Sequence, residues 1–148
     1  MSPELTFGLL ISIFFLSISI HNFKIRKECV YLIQLTKPRK VLFIFIPILF
    51  SFVAYMGGNE PQYYILALSA AFCLNSTLVC AGIHEKGIYY YPTRRLIATL
   101  VKWESIENVR VNKKKNQLKS FRHTKYKRRI YPNQYYLKEA IEILQQFD

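Results

Sequence analysis

The residues of this chain with the most evident chemistry are basic. The stretch "RVNKKKNQLKSFRHTKYKRR", residues 110–129, holds ten Lys and Arg and no Asp or Glu. A run of that sign attracts polyanions: nucleic acid, an acidic protein, or the charged face of a lipid bilayer. The candidate contact residues are Lys113, Lys114, Lys115, Lys119, Arg122, Lys127, Arg128 and Arg129. Other reactive groups offer less. His21, His84 and His123 belong to no catalytic spacing, and the first two sit at the borders of apolar runs. Glu104 and Glu107 stand three apart beside Trp103 in the manner of an acid pair. The expectation there is structural, with Glu104 capping a turn and Glu107 pairing with a nearby cation. Cys29, Cys73 and Cys80 have no metal-ligand spacing. Cys73 and Cys80 lie seven residues apart on one helix face and are expected to act as small buried apolar groups. No glycine-rich phosphate loop exists, and Gly57-Gly58 reads as a turn. The sequence therefore predicts no enzyme, no metal and no cofactor.

The elements that carry the basic run divide the 148 residues into two unlike halves. Residues 1–83 contain six Lys/Arg and three acidic groups, against fifteen and six in residues 84–148. The first half holds three apolar runs, "LTFGLLISIFFLSISI", "VLFIFIPILFSFVAYM" and "YILALSAAFCLNSTLVCAGI". A helical span takes roughly 17–25 apolar residues. The spans are placed at about 5–23, 41–56 and 64–83, the first lengthened by Phe23 while Lys24 snorkels to the headgroups. The first run opens with Glu4 as its only charged side chain and lacks a positive n-region. It is expected to be a retained anchor rather than a cleaved signal.

Charge sets the orientation, because Lys and Arg favour the cytoplasmic side. Lys24, Arg26, Lys27, Lys37, Arg39 and Lys40 lie between runs one and two; "GGNEPQ", between runs two and three, has no basic residue. The reading is a multi-pass protein of a bacterial cell membrane, N-terminus outside and C-terminus cytoplasmic. Pro47 is expected to kink its helix, with a neighbouring helix satisfying the freed carbonyl. Asn75, Ser76 and Thr77 are expected to form helix–helix contacts through hydrogen bonds. The three apolar runs hold no ionisable residue other than Cys and Tyr, which argues against a transport path.

After Ile83 the apolar period shortens. "GIYYY" (87–91), "LIATLVKW" (96–103), "VRV" (109–111), 117–125 and 127–131 read as strands, with turns at 93–95 and 104–108. Ile97, Thr99, Val101 and Trp103 are expected on one strand face. Asn133 is a candidate N-cap for a last helix with the stripe Leu137, Ala140, Ile141, Leu144 and Phe147. Residues 84–148 thus read as a small α+β cytoplasmic domain, an antiparallel sheet of about five strands capped by a C-terminal helix. "YLIQLT" (31–36) either adds a strand or lies along the membrane.

On such a domain the basic run has three readings. It sets topology and binds nothing, it contacts anionic phospholipid headgroups at roughly 1 kcal/mol per cation, or it holds a specific partner. No nucleic acid is expected as a partner: it would want aromatic stacking platforms on the same basic face, and the membrane tether restricts its access.

The segments "GIHEKGIYYY", "LVKWESIENVRV", the strand near Leu118 and "LKEAIEILQQF" resemble a family of small Gram-positive bacterial membrane proteins with a C-terminal pleckstrin-homology-like domain. Its opening Gly-Ile pair would be Gly87-Ile88, and its Trp-Glu-Ser-Ile turn would be Trp103 to Ile106. A full pleckstrin-homology fold has seven strands, and five were expected here, so phosphoinositide binding is not carried over. Some such proteins are similar to immunity proteins against leaderless bacteriocins. The resemblance therefore implies a non-enzymatic protein acting at the inner membrane face in protection against a membrane-active bacteriocin. Its partners would be the lipid bilayer and a bacteriocin peptide or other membrane proteins. The alternative is a structural or regulatory subunit of a larger membrane complex such as an exporter.

Overall fold

The computed structural model describes residues 3–92 and 95–147. Three helices open the chain: α1 (Pro3–Glu28), α2 (Lys37–Met56) and α3 (Pro61–Val79). All three are long and apolar enough to cross a membrane. Pro38 and Pro61 stand in the first turns of α2 and α3, where a missing N–H costs nothing. Every apolar run of the sequence lies within a helix, apart from the end of the third. The third span was expected to reach residue 83, but α3 stops at Val79 and Gly82 begins a strand. Its final carbonyls are taken up from outside the helix. Arg26 Nη1 donates to Val79 O at 2.8 Å, and Tyr91 Oη lies 3.3 Å from Cys80 O. The chain also passes so close to the 31–33 segment at Gly82 that a Cβ there would strike the Tyr31 carbonyl.

α3 packs against both other helices. It buries Ala67, Ser69, Ala71, Cys73, Asn75, Ser76 and Val79, whereas α2 buries Ala54 alone. The outer helices thus present apolar side chains around most of their circumference, as lipid-facing helices do. Pro47 stands inside α2.

Beyond α3 the sheet is not one meander of about five strands. Among the described residues eight short strands form two four-stranded antiparallel sheets. The first contains β1 (Tyr31–Leu32), β2 (Gly82–His84), β3 (Gly87–Tyr90) and β4 (Thr99–Lys102), in that order. The 31–36 segment thus contributes an edge strand, pairing Tyr31 with Ile83 and Leu32 with Gly82. The second sheet contains β5 (Ile106–Asn112), β6 (Gln117–His123), β7 (Arg128–Ile130) and β8 (Gln134–Tyr135). β6 is central, with β5 along one side and β7 and β8 sharing the other. The additional strands have two or three residues, too few for a period-two pattern to show. β2 was hidden in the tail of the third apolar run and β8 in the approach to the last helix. Of the turn expected at 93–95, Thr93 and Arg94 lie outside the described residues.

Gly87 opens β3 opposite Lys102, and a side chain there would run into the Val101 carbonyl. The shared core holds Ile83, Ile88, Val101, Val109, Leu118 and Phe121, closed by Tyr136 and by α4 (Lys138–Leu144). α4 buries Ala140, Ile141 and Leu144, while Leu137 is 52% exposed. Phe147 stacks on Trp103 at 4.5 Å, and Trp103 Nε1 donates to Glu85 O at 2.9 Å. Asn133 is not the N-cap: it takes a left-handed φ of 47° ahead of β8, and Leu137 precedes the first turn of α4. Asn tolerates that conformation better than most residues, so it marks a turn into a strand instead of a helix start. Of the expected strand face, Val101 is buried, Thr99 and Trp103 are half-buried, and Ile97 is 45% exposed in the bend before β4.

Candidate functional site

The basic run folds into two separate groups. Lys113–Lys115 form the single turn joining β5 to β6, all three exposed. Asn112 Oδ1 accepts from Lys115 N at 3.3 Å, and Asn116 closes the turn at a φ of 49°. Lys127 (φ 48°), Arg128 and Arg129 lie in and after the β6–β7 turn. The two turns sit at opposite ends of β6, about 20 Å apart at ~3.3 Å per residue. Lys119 and Arg122 project from β6 between them and are exposed. The run is therefore not one patch.

The register puts Arg122 opposite Arg129, like charge facing like, and the imidazole of His123 opposite Arg128. Glu107 faces Arg122 across β5 and β6, yet the one ion pair among the described residues is Lys138–Glu142, at 3.9 Å. Arg129 Nη1 instead reaches Ser120 Oγ at 3.4 Å. The Trp103–Ser105 turn, where Glu104 was expected as a cap, has no side-chain capping bond.

Arg128 and Arg129 face a cleft of 780 Å³ between the two sheets. One wall is the outer edge of β4 and the other is β7 with the end of β6. Arg95, from the segment leading to β4, joins them, along with Tyr90, His123 and Tyr126. Burial pushes the Tyr90 phenol up, while the nearby guanidiniums of Arg128 and Arg95 pull it back. His123 Nδ1 is buried without a hydrogen-bond partner, and its ring lies 4.7 Å from that of Tyr126. His84 has an ordinary local role: its Nδ1 accepts from Lys86 N at 3.0 Å.

A second constellation joins the helices to the sheets. Asn22, fully buried on α1, donates through Nδ2 to Ser76 Oγ at 2.8 Å and to Leu96 O at 2.9 Å. Tyr91 Oη approaches Ser76 O at 3.4 Å as well as Cys80 O. Its phenol is pushed up by burial. Tyr91 and Leu96, on either side of Arg95, are thereby tied to α3 and α1.

Two of the three polar residues expected between helices bridge them. Asn75 Nδ2 donates to Phe43 O on α2 at 3.0 Å, and Ser76 takes the Asn22 bond from α1. Thr77 Oγ1 donates within α3, to Leu74 O at 2.7 Å. Residues that sequence reasoning passed over are Asn22, Tyr90, Tyr91 and Arg95, together with the capping role of Arg26. Asn22 carried a signal, an amide closing an apolar run. Arg95 carried none beyond its charge, because its neighbours come from strands far along the chain. Compared with known protein families, with curated proteins and with solved structures, the chain finds no match.

Proposed function

We propose that the chain is a non-enzymatic, multi-pass protein of a bacterial cell membrane, with its N-terminus outside and its sheet domain held on the cytoplasmic face. There it protects the cell against a membrane-active cationic peptide of the bacteriocin kind. The observation that carries the placement is the shared position of charge and sheet. All six Lys/Arg that precede α3 lie in the last two turns of α1 and the first turn of α2, on either side of the 29–36 loop that supplies β1 to the first sheet. The α2–α3 turn holds none. The positive-inside rule then places the sheet domain at the anionic inner leaflet. Two antiparallel sheets closed by a C-terminal helix support the likeness to pleckstrin-homology-like domains, and through it the protective role. The test is production of the chain in a sensitive strain challenged with a panel of leaderless cationic bacteriocins. The expected result is a raised inhibitory concentration for at least one peptide; unchanged survival against all of them would remove the protective role.

A second reading, a structural or regulatory subunit of a larger membrane complex such as an exporter, has its own observation. A groove of 410 Å³ runs between the helices past Leu16, Pro47, Phe72 and Asn75, and the buried Asn75 Oδ1 beside it has no donor. A donor on a helix of another protein would complete it. Purification in mild detergent distinguishes the two readings: this one requires a stable hetero-complex.

A further inference from the structure

We propose that the cleft between the free edges of β4 and β7 is a binding site for a single phosphate-bearing anion, which Arg95, Arg128 and Arg129 grip and which a phospholipid headgroup supplies. Among the described residues, the walls of the cleft contain three guanidiniums, an imidazole and several phenols, and no carboxylate. None of the three arginines has a carboxylate partner among the described residues. The fold nevertheless sets Arg129 opposite Arg122. Like charges placed directly across a ladder destabilise it, so an anion held by Arg129 would relieve a repulsion that the fold otherwise carries. Guanidinium is the side chain whose planar fork of donors matches phosphate oxygens two at a time. The orphaned His123 Nδ1 and the phenols of Tyr90 and Tyr126 are further hydrogen-bonding groups at the same walls.

The position of the cleft selects the source of the phosphate. On either side of Arg95, Tyr91 is hydrogen-bonded to carbonyls at the end of α3, and Leu96 to Asn22 within the last two turns of α1. Arg95 is therefore held level with the helix ends, where headgroups lie when the helices span a bilayer. Ile97, two residues on, is 45% exposed and stands ready to meet the upper part of an acyl chain. An acidic peptide laid along the strand edges is the competing occupant. The edges offer four residues on β4 and three on β7, little backbone for a peptide to pair with. The headgroup assignment rests on the orientation given above; the phosphate assignment does not, and binding to the purified chain is read independently of any protection of cells.

The experiment uses the full chain in neutral detergent, observed by native mass spectrometry. Short-chain phosphatidylglycerol, short-chain phosphatidylcholine, glycerol phosphate and a glutamate-rich peptide are titrated separately. The expected result is a saturable one-to-one adduct with phosphatidylglycerol and a much weaker one with phosphatidylcholine, whose choline would meet the same guanidiniums. Arg95→Ala with Arg128→Ala should weaken the adduct about tenfold or more, the loss of strong charge-assisted bonds. Replacing Lys113, Lys114 and Lys115 by Gln should change it by less than about twofold, because those residues lie at the far end of β6 and their exposed charges are screened beyond ~8 Å. Arg95→Lys with Arg128→Lys keeps the charge without the fork and should fall between; this pair also serves if the alanine variant does not fold. Glycerol phosphate binding that the same arginine variants weaken would show that phosphate alone suffices; binding of the lipid alone would show that the chains are needed. Equal loss in the arginine and lysine variants, equal binding of phosphatidylcholine, or preference for the acidic peptide over every phosphate probe would overturn the proposal.

Discussion

The side-chain amide of Asn75 lies 3.0 Å from the carbonyl oxygen of Phe43. That carbonyl stands four residues before Pro47 in α2, so in a regular helix it would accept from an N–H that proline lacks. The amide from α3 supplies the donor that α2 has lost. A gap in one backbone ladder thus becomes a specific contact between two helices.

Replacing Asn75 by Ala should therefore destabilise the helix bundle by about 0.6–1.7 kcal/mol, the scale measured for interhelical hydrogen bonds in a membrane protein. The effect should depend on Pro47. In a Pro47→Ala background residue 47 has its own N–H for Phe43, and the cost of Asn75→Ala should shrink. Unfolding of the four variants in mixed detergent and dodecyl sulfate, treated as a double-mutant cycle, measures the coupling. Additive losses would mean that the amide and the proline act independently.

Asn22 ties α1 to both Ser76 of α3 and the backbone of Leu96. Asn22→Leu keeps the number and branching of the side-chain heavy atoms and removes both bonds. Amide exchange at Ile97 and Ala98 should accelerate by tenfold or more, about 1.4 kcal/mol of lost protection, while exchange in β6 stays slow. Unchanged exchange at 97–98 would show that this segment is held by packing alone.

Ile141 is 2% exposed, against a core closed by Tyr136 and Leu144. Ile141→Asp puts an uncompensated charge there and should cost about 3–5 kcal/mol, a large share of the stability of a small domain. The full chain is the right material, since β1 comes from the loop between α1 and α2 and a fragment starting at residue 84 would lack it. Loss of the near-ultraviolet signal of stacked Trp103, with the helical signal of α1–α3 retained, is the expected outcome. An unaltered thermal midpoint would contradict the docking of α4.

Orientation is open to a direct test. A reporter fused after Asp148 should read as cytoplasmic, and one inserted within Gly57–Gln62 as external. The reverse pattern would remove the inner-leaflet placement, and with it the headgroup as the source of the cleft's anion.

The sequence alone determined the parts whose signal is long and local. Three apolar runs became three helices because burying or lipid-facing so many consecutive apolar residues leaves the backbone no better way to satisfy its own hydrogen bonds. The stripe Ala140, Ile141 and Leu144 was legible for the same reason, as was the donor demand created by Pro47, though not that Asn75 would meet it. Tertiary structure decided everything that depended on short or distant pairing. Tyr31–Leu32 and Gln134–Tyr135 are two-residue strands, and a two-residue segment has no periodicity; it is a strand only because a partner edge is there. Val79 ends α3 because Arg26 and Tyr91, 53 and about a dozen residues away along the chain, supply its last carbonyls with donors. The basic run shows the division most plainly. Its charge was legible, but ten cations within residues 110–129 say nothing about where a strand turns. β6 carried Lys113–Lys115 to one end and Arg128–Arg129 to the other, and only the meeting of two sheets brought Arg95 beside the second group.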